Sequence, residues 1–258
     1  MANEPLILVS NDDGITAPGI KVLVECVKKL GKVVVVAPDS PQSGMGHAIT
    51  INKPLRLVEV DLFGEEVLAY QCSGTPADCV KLAVDKVLHR QPDLLVSGIN
   101  HGSNSSINIL YSGTMSAAME GAIEGMKAVG FSLMDYSYEA DFTMAAHVVD
   151  VVAAAVLKNG LPADTLLNVN IPKVDELKGI KVCRQARAKW KEDFDERIDP
   201  YKRKYYWLTG KFVQMDHGED TDEWALGHGS ASVVPVQFDL TAHHAMGSIN
   251  SWDLNEKI

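Results

Sequence analysis

The sequence has little of what marks membrane, secreted or nucleic-acid-binding proteins. Its longest apolar runs are too short to cross a bilayer, and no signal peptide precedes the first strand-like run. Basic residues number 24 against 34 acidic ones, and the net charge of −10 argues against general binding of nucleic acid. We therefore expect a cytoplasmic protein whose partners include neither a membrane nor a nucleic-acid duplex.

Three further motifs are absent, and each absence excludes one class of site or enzyme. The four cysteines lack the spacing of a metal finger, so we expect buried free thiols in a reducing compartment; they are Cys26, Cys72, Cys79 and Cys183. The first strand-like run leads into Asn11-Asp12-Asp13-Gly14 instead of a G-x-G-x-x-G turn, which excludes a dinucleotide enzyme. Ser43 lacks the G-x-S-x-G surroundings of a seryl-hydrolase nucleophile.

What is present predicts an α/β protein with a mostly parallel sheet. The chain has 258 residues, of which 46% are hydrophobic and 22% charged, as in ordinary globular domains. Buried-type strands are predicted at 6–10, 32–39 and 94–100. Helical spacing of apolar residues follows the first and the third, whereas extended segments over 49–71 follow the second before the next helix. Strand, helix and strand within about forty residues form a βαβ unit.

The last third of the chain differs in character. We expect a core over residues 1–180, and over 181–258 a hairpin or arm extension with a final strand packed on the core. The run Lys202–Trp207 is basic and aromatic. It fits a nucleic-acid patch, but the acidic total charge favours a solvated hairpin with buried rings.

Polar residues with metal-type oxygens follow three predicted strands. Asp12 and Asp13 end the first, Ser43 lies in the loop after the second, and Asn100 ends the third. Carboxyl ends of parallel strands share one edge of a sheet, and this oxygen set suits Mg²⁺ or Mn²⁺. The competing interpretation is a polar turn, with Asp13 as a helix N-cap and Gly14 at positive φ.

A predicted helix begins near Thr114, and the residues before it resemble an anion site. Tyr111-Ser112-Gly113-Thr114 offers hydroxyls and free backbone N–H groups. A hard cation beside such a site indicates phosphoryl chemistry. A nucleotide- or sugar-binding module without turnover is the alternative, although anion binding alone favours basic residues over paired carboxylates. Asn108 and Tyr111 are candidates for the substrate mouth, and His101 for a supporting role or proton donor.

Together these motifs resemble the SurE family (survival protein E) of 5'-nucleotidases. The motifs appear in family order and are Ser10–Gly14 with Ala17–Gly19, Ala37–Asp39 with Gln42–Gly44, Gly74–Pro76 with Asp78–Val80, Ser97–Asn100 with Gly102, and Tyr111–Thr114 with Ala117–Gly121. The resemblance implies a Rossmann-like three-layer sandwich, and a C-terminal β-hairpin extension that links homodimers or homotetramers. It also implies a metal-dependent phosphatase acting on nucleoside 5'-monophosphates.

The resemblance assigns the metal ligands by position, and the other roles are expected from the residues themselves. It implies one divalent metal ion per subunit, Mg²⁺ or Mn²⁺, held by Asp12, Asp13, Ser43 and Asn100. Asp12, Asp13 and Asn100 are the expected catalytic residues, and Asn100, Ser112, Gly113 and Thr114 the expected phosphate contacts. We favour attack by water over an aspartyl-phosphate route, because ligation by a cation weakens a carboxylate nucleophile. A broader phosphatase that also cleaves 3'-nucleotides or short-chain polyphosphate is the alternative.

Overall fold

Short apolar and β-branched runs form most of the strands, since such residues fit a buried pleated surface. The computed structural model of the protein describes residues 4–137, 139–252 and 254. The strands within them are β1 (Leu6–Ser10), β2 (Lys32–Pro38), β3 (Leu57–Glu59), β4 (Leu68–Cys72), β5 (Leu94–His101), β6 (Ala128–Leu133), β7 (Thr165–Ile171), β8 (Ile180–Val182), β9 (Ala188–Ile198), β10 (Lys204–Gln214) and β11 (Ala231–Gln237).

Helices follow β1, β4, β5, β6, β10 and β11 in the chain. They are α1 (Pro18–Val27), α2 (Pro76–Leu82), α3 (Gly113–Ile123), α4 (Thr143–Asn159), α5 (Asp222–Gly227) and α6 (His243–Asn250). A wider helical turn over Ala83–Val87 continues α2, and a 3₁₀ helix over Ser106–Tyr111 precedes α3. Among the described residues, no helix combines the length and apolar character that crossing a membrane requires.

One sheet of nine strands holds two layers of helices apart. Its order is β3-β4-β2-β1-β5-β6-β7-β11-β8. Six neighbouring strands of this sheet run parallel, namely β4, β2, β1, β5, β6 and β7. Side chains of α1 and α4 pack against one face, and side chains of α2 and α3 against the other. The predicted α/β three-layer sandwich with a mostly parallel sheet is confirmed.

The predicted C-terminal hairpin is present. Strands β9 and β10 pair in antiparallel register from Ala188–Gln214 to Ile198–Lys204 and form a separate two-stranded sheet. The expectation of buried rings in this hairpin is wrong, because Tyr206 and Trp207 are exposed. Strand β11 leaves the hairpin region and returns to the main sheet, where it pairs antiparallel with β7.

The parallel order brings the predicted polar loops to one edge. Strands β2, β1 and β5 are neighbours, with β1 in the middle. Their carboxyl ends therefore deliver residues 11–17, 39–47 and 100–105 to a common crevice, where open α/β sheets bind ligands. The N-terminus of α3 enters the same crevice, since the hydroxyl of Thr114 contacts Asp12.

Candidate metal and phosphate site at the ends of three parallel strands

The turn after β1 presents two adjacent carboxylates. The side-chain amide of Asn11 donates to the carbonyl oxygen of Gly14 at 2.9 Å, and this bond closes the turn. Gly14 has a φ of 96°, so the expected positive φ is confirmed. The N-cap of the competing interpretation is not found, because Ala17 and not Asp13 occupies that position. Helix capping therefore does not account for Asp13.

Asp12 is packed against the start of α3. The hydroxyl of Thr114 donates to Asp12 Oδ1 at 2.5 Å, and Asp12 is only 4% exposed. Gly113 has no side chain at this contact, and an added Cβ would lie 2.6 Å from the Cβ of Asp12. A glycine at position 113 thus lets the helix N-terminus approach the carboxylate directly.

Both carboxylates bind protons more tightly than an ordinary aspartate. The pKa of Asp12 is raised to about 6: burial raises it most, the hydrogen bond from the Thr114 hydroxyl lowers it in part, and the neighbouring charge of Asp13 raises it further. Burial also raises the pKa of Asp13, against a lowering hydrogen bond from the backbone N–H of His101. Two adjacent carboxylates with raised pKa values, one buried and one half-buried, form a site that a cation would stabilise.

The loops after β2 and β5 meet this turn through backbone hydrogen bonds. The N–H of Gln42 donates to the carbonyl oxygen of Asp12 at 2.8 Å, which places exposed Ser43 one residue from that contact. The N–H of His101 donates to Asp13 Oδ2 at 3.2 Å, which places Asn100 one residue away on the other side. The structure therefore gathers all three predicted loops around the aspartate pair.

Asn100 and the start of α3 supply neutral polar groups. The side-chain amide of Asn100 donates to the carbonyl oxygen of Gly102 at 2.8 Å, which fixes the orientation of its side chain. The Ser112 hydroxyl caps α3 by accepting from the N–H of Met115 at 3.0 Å. The hydroxyls of Ser112 and Thr114 are thus both engaged within the protein, and the positive end of the helix remains as the feature that attracts an anion.

The donor set fits a hard divalent cation. Within residues 4–137, 139–252 and 254, no group of three or more His, Cys, Asp or Glu side chains could hold a metal. A cation here would therefore rely on the two carboxylates of Asp12 and Asp13, completed by the neutral oxygens of Ser43 and Asn100. Carboxylate, hydroxyl and amide oxygens suit Mg²⁺ or Mn²⁺ better than zinc.

His101 lies beside the site, and one of its two ring nitrogens contacts a backbone carbonyl oxygen. Its Nδ1 is 3.0 Å from the carbonyl oxygen of Ser137, and its ring packs edge-on against Phe142 at a centroid distance of 5.2 Å. Together with Asp13, Asp39 and Tyr136, it lines a cavity of about 350 Å³ next to the carboxylate pair. The backbone N–H of His101 holds Asp13, and this role could not be predicted from its side chain.

Sequence reasoning missed the supports of two of these loops. Buried Glu120 on α3 accepts from Lys81 Nζ at 2.6 Å and binds His47 Nε2 at 2.8 Å, which anchors the far end of the loop that carries Ser43. The loop after β5 is anchored by Asn104, whose N–H donates to Asn170 Oδ1 at 2.8 Å. The run Asn168-Val169-Asn170 was the available signal, since it places two amides in a buried strand.

The fold and this site together define a class: a three-layer α/β protein with a paired-carboxylate oxygen site facing a helix N-terminus. Comparison with known proteins then gives the family, since the profile of Survival protein SurE matches residues 7–192. The chain belongs to the SurE family, and both the resemblance seen in the sequence and the enzyme class it implies are confirmed at the level of the family.

Relatives match nearly the whole chain. The 5'-nucleotidase SurE of Christiangramia forsetii is 63% identical over 256 residues, which cover 98% of this chain and 98% of the relative. The 5'-nucleotidase SurE of Flavobacterium psychrophilum is 60% identical over 256 residues, which cover 98% of this chain and 100% of the relative. Among solved structures, the crystal structure of the SurE protein from Aquifex aeolicus has a TM-score of 0.83 at 43% identity, covering 95% of this chain and 98% of that one.

Proposed function

We propose that this chain is a metal-dependent phosphatase that hydrolyses nucleoside 5'-monophosphates to nucleoside and phosphate. The observation that carries the proposal is the hydrogen bond from Thr114 to Asp12, because it joins the aspartate pair to the N-terminus of α3. The aspartate pair suits a cation, and the N-terminus of α3 suits an anion. Because the two are in direct contact, together they suit a phosphate ester bound to a metal. The relatives named 5'-nucleotidase support the nucleotide as substrate.

Four residues would hold one divalent ion, either Mg²⁺ or Mn²⁺. Asp12 and Asp13 contribute the charge, and Ser43 and Asn100 contribute neutral oxygens. When bound, the cation would polarise the phosphoester and lower the pKa of a coordinated water.

The chain's own groups position the phosphate. Asn100 and the helix start at Ser112, Gly113 and Thr114 face the phosphate oxygens, where helix N–H groups and the macrodipole stabilise developing negative charge. Thr114 holds one oxygen of Asp12, and the N–H of His101 holds one oxygen of Asp13. Fixing both carboxylates in this way favours their use as ligands and water-orienting groups over direct attack on phosphorus.

We also propose that the chain acts as a homodimer or homotetramer in the cytoplasm. The hairpin of β9 and β10 exposes Phe194, Ile198 and Tyr201 to solvent, which suits contact with a second copy. The described cysteines are all free and buried, which suits a reducing compartment.

A phosphate-release assay tests the proposed reaction. The purified protein would be given a panel of nucleoside 5'- and 3'-monophosphates and short-chain polyphosphate, with Mg²⁺, Mn²⁺ or excess EDTA. We expect release from 5'-monophosphates with either metal and none in EDTA. Equal release from 3'-nucleotides or polyphosphate would favour the broader phosphatase, and full activity in EDTA would overturn the metal site.

Two serines of one loop give a matched pair of variants. Ser43→Ala removes the proposed ligand oxygen, whereas Ser40→Ala removes a hydroxyl that donates to Asp39 at 2.8 Å. We expect Ser43→Ala to raise the Mn²⁺ concentration for half-maximal activity about tenfold, as loss of one supporting oxygen does at metal sites. Ser40→Ala should leave it unchanged; equal effects of the two would remove Ser43 from the ligand set.

A further inference from the structure

An apolar groove lies between the 3₁₀ helix that precedes α3 and the C-terminal hairpin. It has a volume of about 570 Å³, within the range of small-molecule sites. We call it the aromatic groove; its lining residues are Tyr111, Trp190, Glu192, Leu208, Thr209 and Gly210. None of them belongs to the metal or phosphate set, so the groove needs an explanation of its own.

The aromatic groove begins where the phosphate site ends. Tyr111 directly precedes Ser112, the N-cap of α3, so the groove lining and the proposed phosphate contacts are adjacent in the chain. The carbonyl oxygen of Tyr111 also accepts from the N–H of Gly46 at 3.3 Å, which ties it to the loop that carries Ser43. A ligand with its phosphate at α3 would therefore lie next to one wall of the groove, at Tyr111.

One ring of the groove is held in a fixed position. The indole N–H of Trp190 donates to Asn108 Oδ1 at 2.8 Å, and its ring packs edge-on against Phe212 at a centroid distance of 5.6 Å. Trp190 is nevertheless 39% exposed. A partly exposed tryptophan with a fixed ring offers a preformed stacking surface, which costs little conformational entropy on binding.

The cavity lined by Asp13 and His101 is less suited to an uncharged aromatic ring. It is smaller, at about 350 Å³, and two carboxylates line it, those of Asp13 and Asp39. The aromatic groove carries a single carboxylate, Glu192, beside two aromatic rings and Leu208. The cavity at Asp13 is thus acidic, and the aromatic groove is mainly apolar.

We propose that the aromatic groove binds the nucleobase of the substrate, with the base stacked on Trp190 and bordered by Tyr111. This inference rests on the proposed function, since it takes the phosphate of a nucleoside 5'-monophosphate to lie at α3. Every base presents an aromatic face, so stacking accepts all bases and rejects phosphate esters that lack one. The hairpin therefore completes the substrate site in addition to any contact with a second copy.

The test compares two substrates that differ by the base alone: adenosine 5'-monophosphate and ribose 5-phosphate. Trp190→Ala should raise KM for the nucleotide about 5- to 150-fold, the range expected for loss of one base–aromatic stack, with a smaller change in kcat. Its kcat/KM for ribose 5-phosphate should not change. Trp207→Ala, an exposed tryptophan on the same hairpin outside the groove lining, should alter neither substrate.

Two more variants separate stacking from anchoring of the hairpin. Trp190→Phe keeps a ring but loses the N–H that binds Asn108, and Asn108→Ala removes the anchor and keeps the indole. If stacking is the role, both should keep KM for adenosine 5'-monophosphate much closer to wild type than Trp190→Ala does. A KM raised equally by all three would overturn the proposal in favour of a structural role for Trp190.

Equilibrium dialysis of adenosine 5'-monophosphate makes the test independent of turnover. Binding weakened by Trp190→Ala and kept by Trp207→Ala supports the groove, even if no phosphate is released and the proposed reaction fails. Equal binding by both variants overturns the groove, even if phosphate release is normal. Thermal unfolding of each variant checks that it is folded.

Discussion

Asp12 lowers the stability of the metal-free protein and at the same time provides a carboxylate for a cation. Its carboxylate is buried beside a second carboxylate, and burial is the largest cause of its raised pKa. Charging it in the folded protein therefore costs free energy that a cation would return. An amide of equal size at position 12 would not carry this cost.

We predict that Asp12→Asn stabilises the metal-free protein at neutral pH. Because the folded state holds the Asp12 proton up to a pKa of about 6 and the unfolded state only up to about 4, the free energy of unfolding of the wild type falls as pH rises through that window. In EDTA at pH 7 the variant should be more stable by about 2–3 kcal/mol. The gain should vanish below about pH 4, where both states are protonated.

Urea denaturation in EDTA at several pH values measures this difference. Asp85→Asn, at an exposed aspartate, serves as the control and should show no such trend. With Mn²⁺ present the order should reverse, since only the wild type keeps both carboxylates for the cation. A variant that is less stable than the wild type in EDTA at pH 7 would contradict the prediction.

At this scale the sequence predicts residue types but not their contacts. Adjacent aspartates at a strand end are visible in the chain, and so is Asn100 at the end of another strand. The bond from Thr114 to Asp12 joins residues 102 positions apart, and no local pattern encodes it. The assigned roles of these residues stay predictions until ligand binding is measured.

Among the elements, the loop after β2 depends on supports at both ends. Near its start, Gln42 donates to the carbonyl oxygen of Asp12. At its far end, His47 binds Glu120, and the hydroxyl of Thr75 donates to the carbonyl oxygen of Ala48 at 2.7 Å. Burial raises the pKa of Glu120, but hydrogen bonds from His47 and Lys81 outweigh it and hold the pKa below its ordinary value. Ionised Glu120 thus links α2, α3 and this loop.

We predict that Glu120→Gln loosens this loop and weakens metal binding. The amide keeps the shape but loses the charge that both His47 and Lys81 contact, so the free energy of unfolding should fall by about 1–3 kcal/mol. The Mn²⁺ affinity, measured by isothermal titration calorimetry, should fall several-fold because Ser43 is less well positioned.

Glu25→Gln provides the matched control for that change. Glu25 forms an exposed ion pair with Lys28 at 2.6 Å, and such pairs contribute little to stability. Its variant should change neither unfolding nor Mn²⁺ binding. Unaltered Mn²⁺ affinity in Glu120→Gln, despite lower stability, would show that Glu120 supports the core and not the site.

Elements were predictable where the local pattern is strong. The apolar runs of β1, β2 and β5 and the helix that begins near Thr114 are of this kind. Strand β6 was missed because Gly130 and Ser132 interrupt its apolar run. The buried bonds from Asn104 to Asn170 and from the N–H of Ser106 to Asp222 at 2.8 Å depend on tertiary packing. Polar residues in such contacts cannot be told from solvent-exposed loop residues by sequence alone.

At the scale of the whole molecule, the main sheet forms a core covered by helices, and the β9–β10 hairpin forms a separate arm. The central strands of the sheet are covered on both faces, whereas β9 and β10 pair only with each other among the described strands. Isolated two-stranded hairpins are marginally stable in water, so an arm of this length calls for further contacts. The boundary at residue 180 between core and arm stays a prediction, and so does the oligomeric state.

We predict that the hairpin tip contributes to association between copies of the chain. Ile198 is 64% exposed and Tyr201 is 81% exposed, and burying both against a second copy would remove apolar surface from water. Light scattering coupled to size-exclusion chromatography should give a dimer or tetramer for the wild type and a smaller species for the double variant Ile198→Asp, Tyr201→Asp. Ile51→Asp, at a site 78% exposed outside the hairpin, should keep the wild-type mass. A wild type that elutes as a monomer, or a tip variant with unchanged mass, would leave the hairpin with the substrate groove as its only assigned role.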